Sequence, residues 1–286
     1  MEREINAFEA RFDPSIKEVL VLTRDNTGAG RFGQNQMWSA SLSILAMVDT
    51  ESDALIAGRR SLTWLMTDMQ RRTDEKIFGL KAEKIYRLKV RESLPLIIEE
   101  TGRTIERGAS LLVCEVVERD CADERLEGIL QKYQQPVTLH PEGCGTLLLH
   151  KHLGVFSGDG EWNGCVCTVY LDVDTEEAET ADHALAVWNR LCADAAEWDE
   201  KARRYAAGLL TEDAKDWLMD NEEADEDEIE EFTEEEFAER ITPGEICISN
   251  HGDFEIYYDD DDMFWGHVII VHGTLDGDFT GAEIAG

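Results

Sequence analysis

The chain has 286 residues, of which 43% are hydrophobic and 31% charged, and it carries a net charge of −35 at pH 7. That length suggests two domains of about 150 residues each, large enough to bury their cores without disulfides or metal. The apolar content excludes an intrinsically disordered chain.

The charge is unevenly placed. Residues 1–110 hold 17 Lys/Arg and 17 Asp/Glu, so residues 111–286 hold the remaining 10 basic and 45 acidic side chains and the whole excess of −35. Such a field argues against nucleic-acid phosphates and anionic membranes as partners. It favours solubility and reads first as a solvated acidic surface, with salt adaptation as a further option. At low salt it would also steer a basic protein to this surface, because opposite charges attract and like charges repel. The seven cysteines are odd in number and scattered, which does not suit a disulfide framework. No charged and apolar leader opens the chain, and no apolar run approaches the roughly 20 residues of a membrane span. The expectation is a cytoplasmic protein with no cofactor.

Residues 16–23 read as a strand, followed by a Gly- and Asn-rich loop over 25–36. From Trp38 onward, Trp38, Ala40, Leu42 and Ile44 alternate with serines, a period-two pattern that predicts a second strand. Ala82–Arg91 and Leu111–Glu118 add two more, so the first segment is expected to be a small barrel or curled sheet. Residues 122–134 read as a short helix closed by Pro136. A second domain is placed at 141–286 after a β-rich domain at 1–140. It begins with strands over 145–171 that are punctuated at Ser157–Gly160 and Asn163-Gly164. From Thr175, apolar residues from Ala181 to Ala202 recur at three- and four-residue steps and predict helix. A further helix is expected at 211–219, with Thr211 as N-cap. Residues 220–231 are nearly all acidic and read as an exposed linker. Thr233 and Glu236 have capping-box spacing and predict a short helix ended by Pro243-Gly244. The last residues then read as an antiparallel meander over 245–249, 254–258, 264–272 and 279–285. The fold class is therefore α+β, with a barrel-like N-terminal domain followed by a mostly antiparallel sheet packed against helices.

Several patterns have the residue types of functional sites. Gly28-Ala-Gly30-Arg-Phe-Gly33 has glycines at dinucleotide-loop spacing, with Asp49 downstream, but a strand-like run follows it where a helix is required, so a hairpin loop is expected. His150, His152, Cys165 and Cys167 would share one face if the turn between them centred on Gly158-Asp159. Two His and two Cys would then suit tetrahedral zinc, whereas a turn at 152–155 would separate them. Asp276–Gly281 resembles the start of a calcium loop, but the acid at its twelfth position would be residue 287, so a turn is expected. Asp259, Asp260, Asp261 and Asp262 read mainly as turn residues, and their charge makes them candidates for contacting a partner. His267 is expected in a strand over 264–271, facing inward with Ile269, Val271 and Trp265. It and Asp262 are the candidate acid/base groups should the chain be an enzyme. Arg59-Arg60 and Arg71-Arg72 read as a solvated face.

The combination of Trp162-Asn-Gly164, Trp198-Asp199, Ala206-Ala207, Leu209-Leu210, Trp217, Phe237, Tyr257-Tyr258, Phe264-Trp-Gly-His267 and Ala282–Gly286 resembles the bacterial family catalogued as domain of unknown function 2262. The resemblance covers roughly residues 141–286, and residues 1–140 resemble its companion N-terminal region. It implies no catalytic residue and no ligand. His150, His152, Cys165 and Cys167 lie outside its pattern. The leading expectation is a non-enzymatic, acidic interaction protein that neutralises a basic partner in the manner of an immunity protein. The alternatives are a hydrolase using His267 with nearby carboxylates, and a structural metal-binding protein.

Overall fold

The structure, a computed structural model, describes residues 1–73, 77–98, 103–105, 107–176, 178–219, 231–277 and 279–286. The acidic run over 220–230 and Asp278 of the calcium-like segment lie outside the described residues. The chain divides into two compact units, Met1–Gln135 and Pro136–Gly286, a boundary slightly ahead of Pro141.

The first unit contains α1 (Glu2–Glu9), β1 (Lys17–Thr23), β2 (Gly28–Gly30), β3 (Trp38–Asp49), β4 (Leu55–Met66), α2 (Asp68–Arg71), β5 (Ile85–Glu92), β6 (Leu96–Ile98), β7 (Arg103–Ile105), β8 (Ser110–Arg119) and α3 (Glu124–Tyr133). Because β1 pairs with both β5 and β3, the sheet closes on itself in the order β1-β5-β8-β4-β3. Every ladder in this ring is antiparallel except β4 with β8. The result is a five-stranded Greek-key barrel of the OB type, a scaffold that hosts many functions and so assigns none. The alternation from Trp38 onward has a direct cause: Ala40, Leu42 and Ile44 fill the interior with Val19, Val21, Leu62, Trp64 and Leu88. Sequence reading missed β4, whose Gly58-Arg59-Arg60 step breaks alternation; pairing with β3 holds it in place. The glycine-rich motif forms β2, paired with Ser39–Ser41 of β3, and no helix follows it. Asp123 caps α3 by accepting from the amides of Arg125 and Leu126.

The second unit contains β9 (Thr138–Leu139), β10 (Leu147–His150), β11 (Val155–Trp162), β12 (Cys165–Asp172), α4 (Asp182–Ala193), α5 (Ala195–Met219), α6 (Glu234–Arg240), β13 (Thr242–Ile248), β14 (Asp253–Asp259), β15 (Val268–Thr274) and β16 (Phe279–Ala285). Its eight strands lie side by side in chain order. Only β12 and β13 run parallel, and parallel neighbours require a crossover. The described helices α4, α5 and α6 lie in that crossover. They cover one sheet face, where Val169, Leu171, Ile246, Phe254, Ile256, Tyr258 and Ile269 are buried together with Trp188 and Phe237.

Three expectations about the helices and turns of this unit fail here, and others at the candidate site below. Thr211 does not start a helix: α5 runs without a break from Ala195 to Met219, and the Thr211 hydroxyl donates to the Ala207 carbonyl one turn back, at 2.8 Å. The apolar stripe through Ala202, Ala206, Leu210 and Ala214 continues past it, so the helix does too. Ser157–Gly160 is not a turn but part of β11, and its glycines serve close packing. A Cβ on Gly158 would stand 2.6 Å from the Thr146 carbonyl oxygen. The Pro243-Gly244 step lies inside β13 at a register shift, while α6 has already ended at Arg240. The capping box at Thr233 and Glu236 is formed, with both reciprocal hydrogen bonds present.

The start of α4 yields a test of pH dependence. Its N-cap, Ala181, has no side-chain cap, and Asp174 fills that role by accepting from the amides of Asp182 and His183 at 3.0 Å each and from the Thr180 hydroxyl at 2.7 Å. The His183 amide and then the Thr180 hydroxyl hold this carboxyl well below the usual carboxylate range. A depressed folded-state pKa contributes stability above the unfolded value of about 3.9, and that contribution is lost as the pH falls through the folded one. Asp174→Ala should therefore cost about 1 kcal/mol in urea unfolding at pH 7. The gap from the native protein should narrow as the pH drops below about 4; a gap independent of pH would refute the assignment.

Candidate functional site

A groove of about 680 Å³ runs between α5 and α6 in the second unit. Its floor is Asp199, only 2% exposed. One oxygen of this carboxylate accepts from the Trp162 indole at 3.1 Å and from the Tyr258 hydroxyl at 2.9 Å. The other accepts from the Asn163 amide at 2.9 Å and from the Arg203 guanidinium at 2.7 Å. Arg203 lies one turn further along α5. It also donates to the carbonyls of Ala238 and Ile241 at the end of α6 and sits 5.3 Å from the Tyr258 ring centre. The four donors use every lone-pair direction of this buried carboxylate, so its burial leaves no acceptor site unsatisfied. Burial, and then the adjacent Asp199 charge, push the Tyr258 hydroxyl well above its ordinary range. The network ties β11, α5, α6 and β14 together.

The turn at Asn163-Gly164 makes this possible. Both residues have positive φ, 47° and 81°, the combination of a tight hairpin turn that Asn-Gly favours. It places Trp162 at the end of β11 and Asn163 beyond it, so both side chains reach Asp199. The sequence shows Trp162, Asn163, Asp199 and Tyr258 among the recurring residues without a reason for them. The shared hydrogen-bond network supplies one.

The groove walls carry Glu200, Glu234, Glu235 and Glu239, all exposed. Arg204 pairs with Glu200 at 2.6 Å, and Arg203 is committed to Asp199. No cation among the described residues pairs with Glu234, Glu235 or Glu239. Their position in the short helix α6 partly explains two of them, since Glu234 and Glu235 lie in its first turn, where acids complement the helix dipole. The groove nevertheless presents a surplus of carboxylates to solvent.

The residues singled out from the sequence lie elsewhere. In β10 and β11, His150 faces Val155, so the turn falls at 151–154; at the other end of β11, Cys167 faces Gly160 and Cys165 faces Trp162. Val155 and Gly160 are five residues apart along one strand, about 17 Å, and no cluster of metal-ligating side chains occurs among the described residues. The His150 ring nitrogen pairs with the Ser157 hydroxyl at 2.9 Å. Burial pushes the Cys167 thiol up to about 12.

The segment from Asp260 to Gly266 is a turn, not the start of a strand, and β15 begins only at Val268. Asp260 is 2% exposed and accepts from the amides of Phe264 at 2.6 Å and Gly266 at 3.2 Å. Its carboxylate is committed to the turn. Asp259 accepts from the Asp261 amide at 3.0 Å, Asp261 pairs with Arg240 at 2.7 Å, and Asp262 is exposed. His267 is half-buried, and its Nδ1–H donates to the Phe264 carbonyl at 2.6 Å. No hydrogen bond joins it to Asp262 or to another carboxylate among the described residues. Trp265, expected to face inward, is 59% exposed, because the turn carries it away from the sheet.

Sequence reading also missed a cluster on the sheet face away from the helices. His272 there meets Glu255 at 3.1 Å and Glu283 at 3.3 Å, and Glu255 accepts from Tyr257 at 2.8 Å. The period-two spacing of Glu255 and Tyr257 put them on one face, but their approach to His272 required the β14–β15 register.

These features define a two-domain α+β protein with a barrel followed by a sheet whose crossover helices frame an acidic groove. The chain belongs to the bacterial family described as "Uncharacterized protein conserved in bacteria (DUF2262)", whose profile matches residues 142–284. A separate domain of unknown function, DUF7021, matches residues 4–133. Neither a curated protein nor a solved structure matches the chain. No helix among the described residues is long and apolar enough to cross a membrane.

Proposed function

We propose that the C-terminal unit is a non-enzymatic binding module that receives a basic protein segment along the α5–α6 groove, in the cytoplasm. The observation that carries this reading is the set of carboxylates at Glu234, Glu235 and Glu239, which line the groove without a described cationic partner. The excess acid of residues 111–286 supplies a field that would draw a basic protein to it. Neutralisation of a basic toxin, as by an immunity protein, is one concrete form of this reading. The enzymatic alternative rests on His267 and Asp262. It has less support, because the His267 ring is tied to a backbone carbonyl and does not line the groove.

The test is a low-salt pull-down from the native cytosol, followed by identification of what is retained. The immobilised protein should retain basic proteins, and Glu234→Gln/Glu235→Gln/Glu239→Gln should lose them. Added salt should release them, because exposed charges are screened beyond the Debye length. Retention of the same proteins by the triple variant, or retention of nothing basic by the native protein, would sink the reading.

A further inference from the structure

The turn after β14 displays its tryptophan in a way that packing does not require. Trp265 has φ 58°, and three other residues of the turn are also left-handed: Asp261 at 48°, Asp262 at 60° and Gly266 at 83°. Glycine accepts that conformation without strain, and aspartate with little. For a bulky aromatic residue it is a genuine outlier. The turn is fixed from below by the buried Asp260 carboxylate and by Phe264 and Met263, both 0% exposed. The strained residue itself is the one left 59% exposed.

The exposed indole does not stand alone. Trp217, near the end of α5, has its ring centre 5.0 Å from that of Trp265 at an interplanar angle of 59°, and the His267 ring is 5.2 Å from Trp217 at 74°. The two indoles meet at a corner, with Trp265 exposed, Trp217 half-buried and the imidazole against Trp217. Asp262, exposed and with no described cationic partner, lies three residues from Trp265 along the same turn. None of the described Lys or Arg side chains stacks on either indole, although Lys201 and Arg203 do stack on Trp198 and Tyr258. Exposed aromatic faces beside carboxylates attract a cation through the ring quadrupole and the nearby charge together.

We propose that the Trp217–Trp265 corner seats a lysine or arginine side chain of a basic partner, with Asp262 as its counter-charge. The inference builds on the reading of this unit as the receptor of a basic protein, and it assigns the specific cation contact to a place outside the groove. The left-handed turn aims the indole at solvent, where a folded strand would have directed alternate residues inward. Asp260 preorganises it, so little ordering remains to be done on binding.

The test uses the full chain and hexalysine as probe. At low salt, the indole N–H resonances of Trp265 and Trp217 should shift on titration, while those of the buried Trp162 and Trp188 stay in place. Acetylated hexalysine, which lacks the charge, should produce no shift. Trp265→Asn should weaken hexalysine binding about two- to five-fold, and it leaves the backbone in a conformation that asparagine tolerates. Asp262→Asn, an exposed change with no fold to lose, should weaken it in the same range. Unchanged affinity in both variants, with the two indoles unmoved while hexalysine still binds and Glu234→Gln/Glu235→Gln/Glu239→Gln abolishes binding, would overturn the corner and leave the groove reading standing. Absence of any hexalysine binding by the native protein would overturn both.

Discussion

Asp199→Ala should destabilise the C-terminal unit by about 3–5 kcal/mol, the range seen when one partner of a buried ion pair is removed. The substitution deprives Arg203 of its counter-charge one helical turn away, at 2.7 Å. It also strands the Trp162 indole and Tyr258 hydroxyl, both on side chains with 0% exposure. An orphaned buried donor keeps its full desolvation penalty, whereas the net value of a made hydrogen bond is smaller. Asp199→Asn should also be costly, because in either orientation its NH2 group would face a donor, the Trp162 indole on one side or the Arg203 guanidinium on the other. Urea unfolding followed by tryptophan emission would check this. Five of the seven tryptophans, Trp162, Trp188, Trp198, Trp217 and Trp265, belong to this unit. Adding Arg203→Met to Asp199→Asn should recover part of the loss, since it removes the uncompensated charge. A loss below about 1 kcal/mol would show that Asp199 is not the centre of the network.

Phe264→Ala should cost about 3–5 kcal/mol, while Trp265→Asn next to it should change stability by less than about 1 kcal/mol. Phe264 is fully buried, with its ring centre 5.7 Å from Trp217 and 6.2 Å from Phe237. Removing it would open a cavity at the junction of α5, α6 and the turn. Trp265 is mostly exposed and strained, so asparagine loses the ring contact with Trp217 but relieves the left-handed backbone. Thermal or urea unfolding of the two variants side by side would decide it. Equal losses would mean that both rings are packed and would refute the exposed turn position of Trp265.

The Phe-Trp-Gly-His segment shows where sequence reading stopped. Phe264 to Val271 satisfies a strand's apolar content, and the glycine looks like a tolerated interruption. What excludes the strand is Asp260, whose carboxylate collects the amides of Phe264 and Gly266 and closes a turn. That bond depends on a backbone path four to six residues long, which periodicity does not encode. His267 therefore rests against Trp217 and not beside Ile269. In the same way, the pairing of His150 with Val155 separates the His and Cys residues that a different register would have joined. A strand pattern gives each residue's face, but not which partner residue it meets.

Local chemistry was legible wherever it was self-contained. The strand at Trp38, the capping box at Thr233 and Glu236, the helix before Pro136 and the order of the final meander all follow from alternation, spacing and caps within a few residues. So did the α+β class, the charge asymmetry and the family, since these are properties of composition and of recurring residues. The tertiary structure alone decided which strands close the expected barrel, the continuity of α5 through Thr211, the Asp199 network and the exposure of Trp265. Each of these depends on groups far apart in the chain competing for the same space or the same hydrogen bond, and that competition is settled only when the chain is folded.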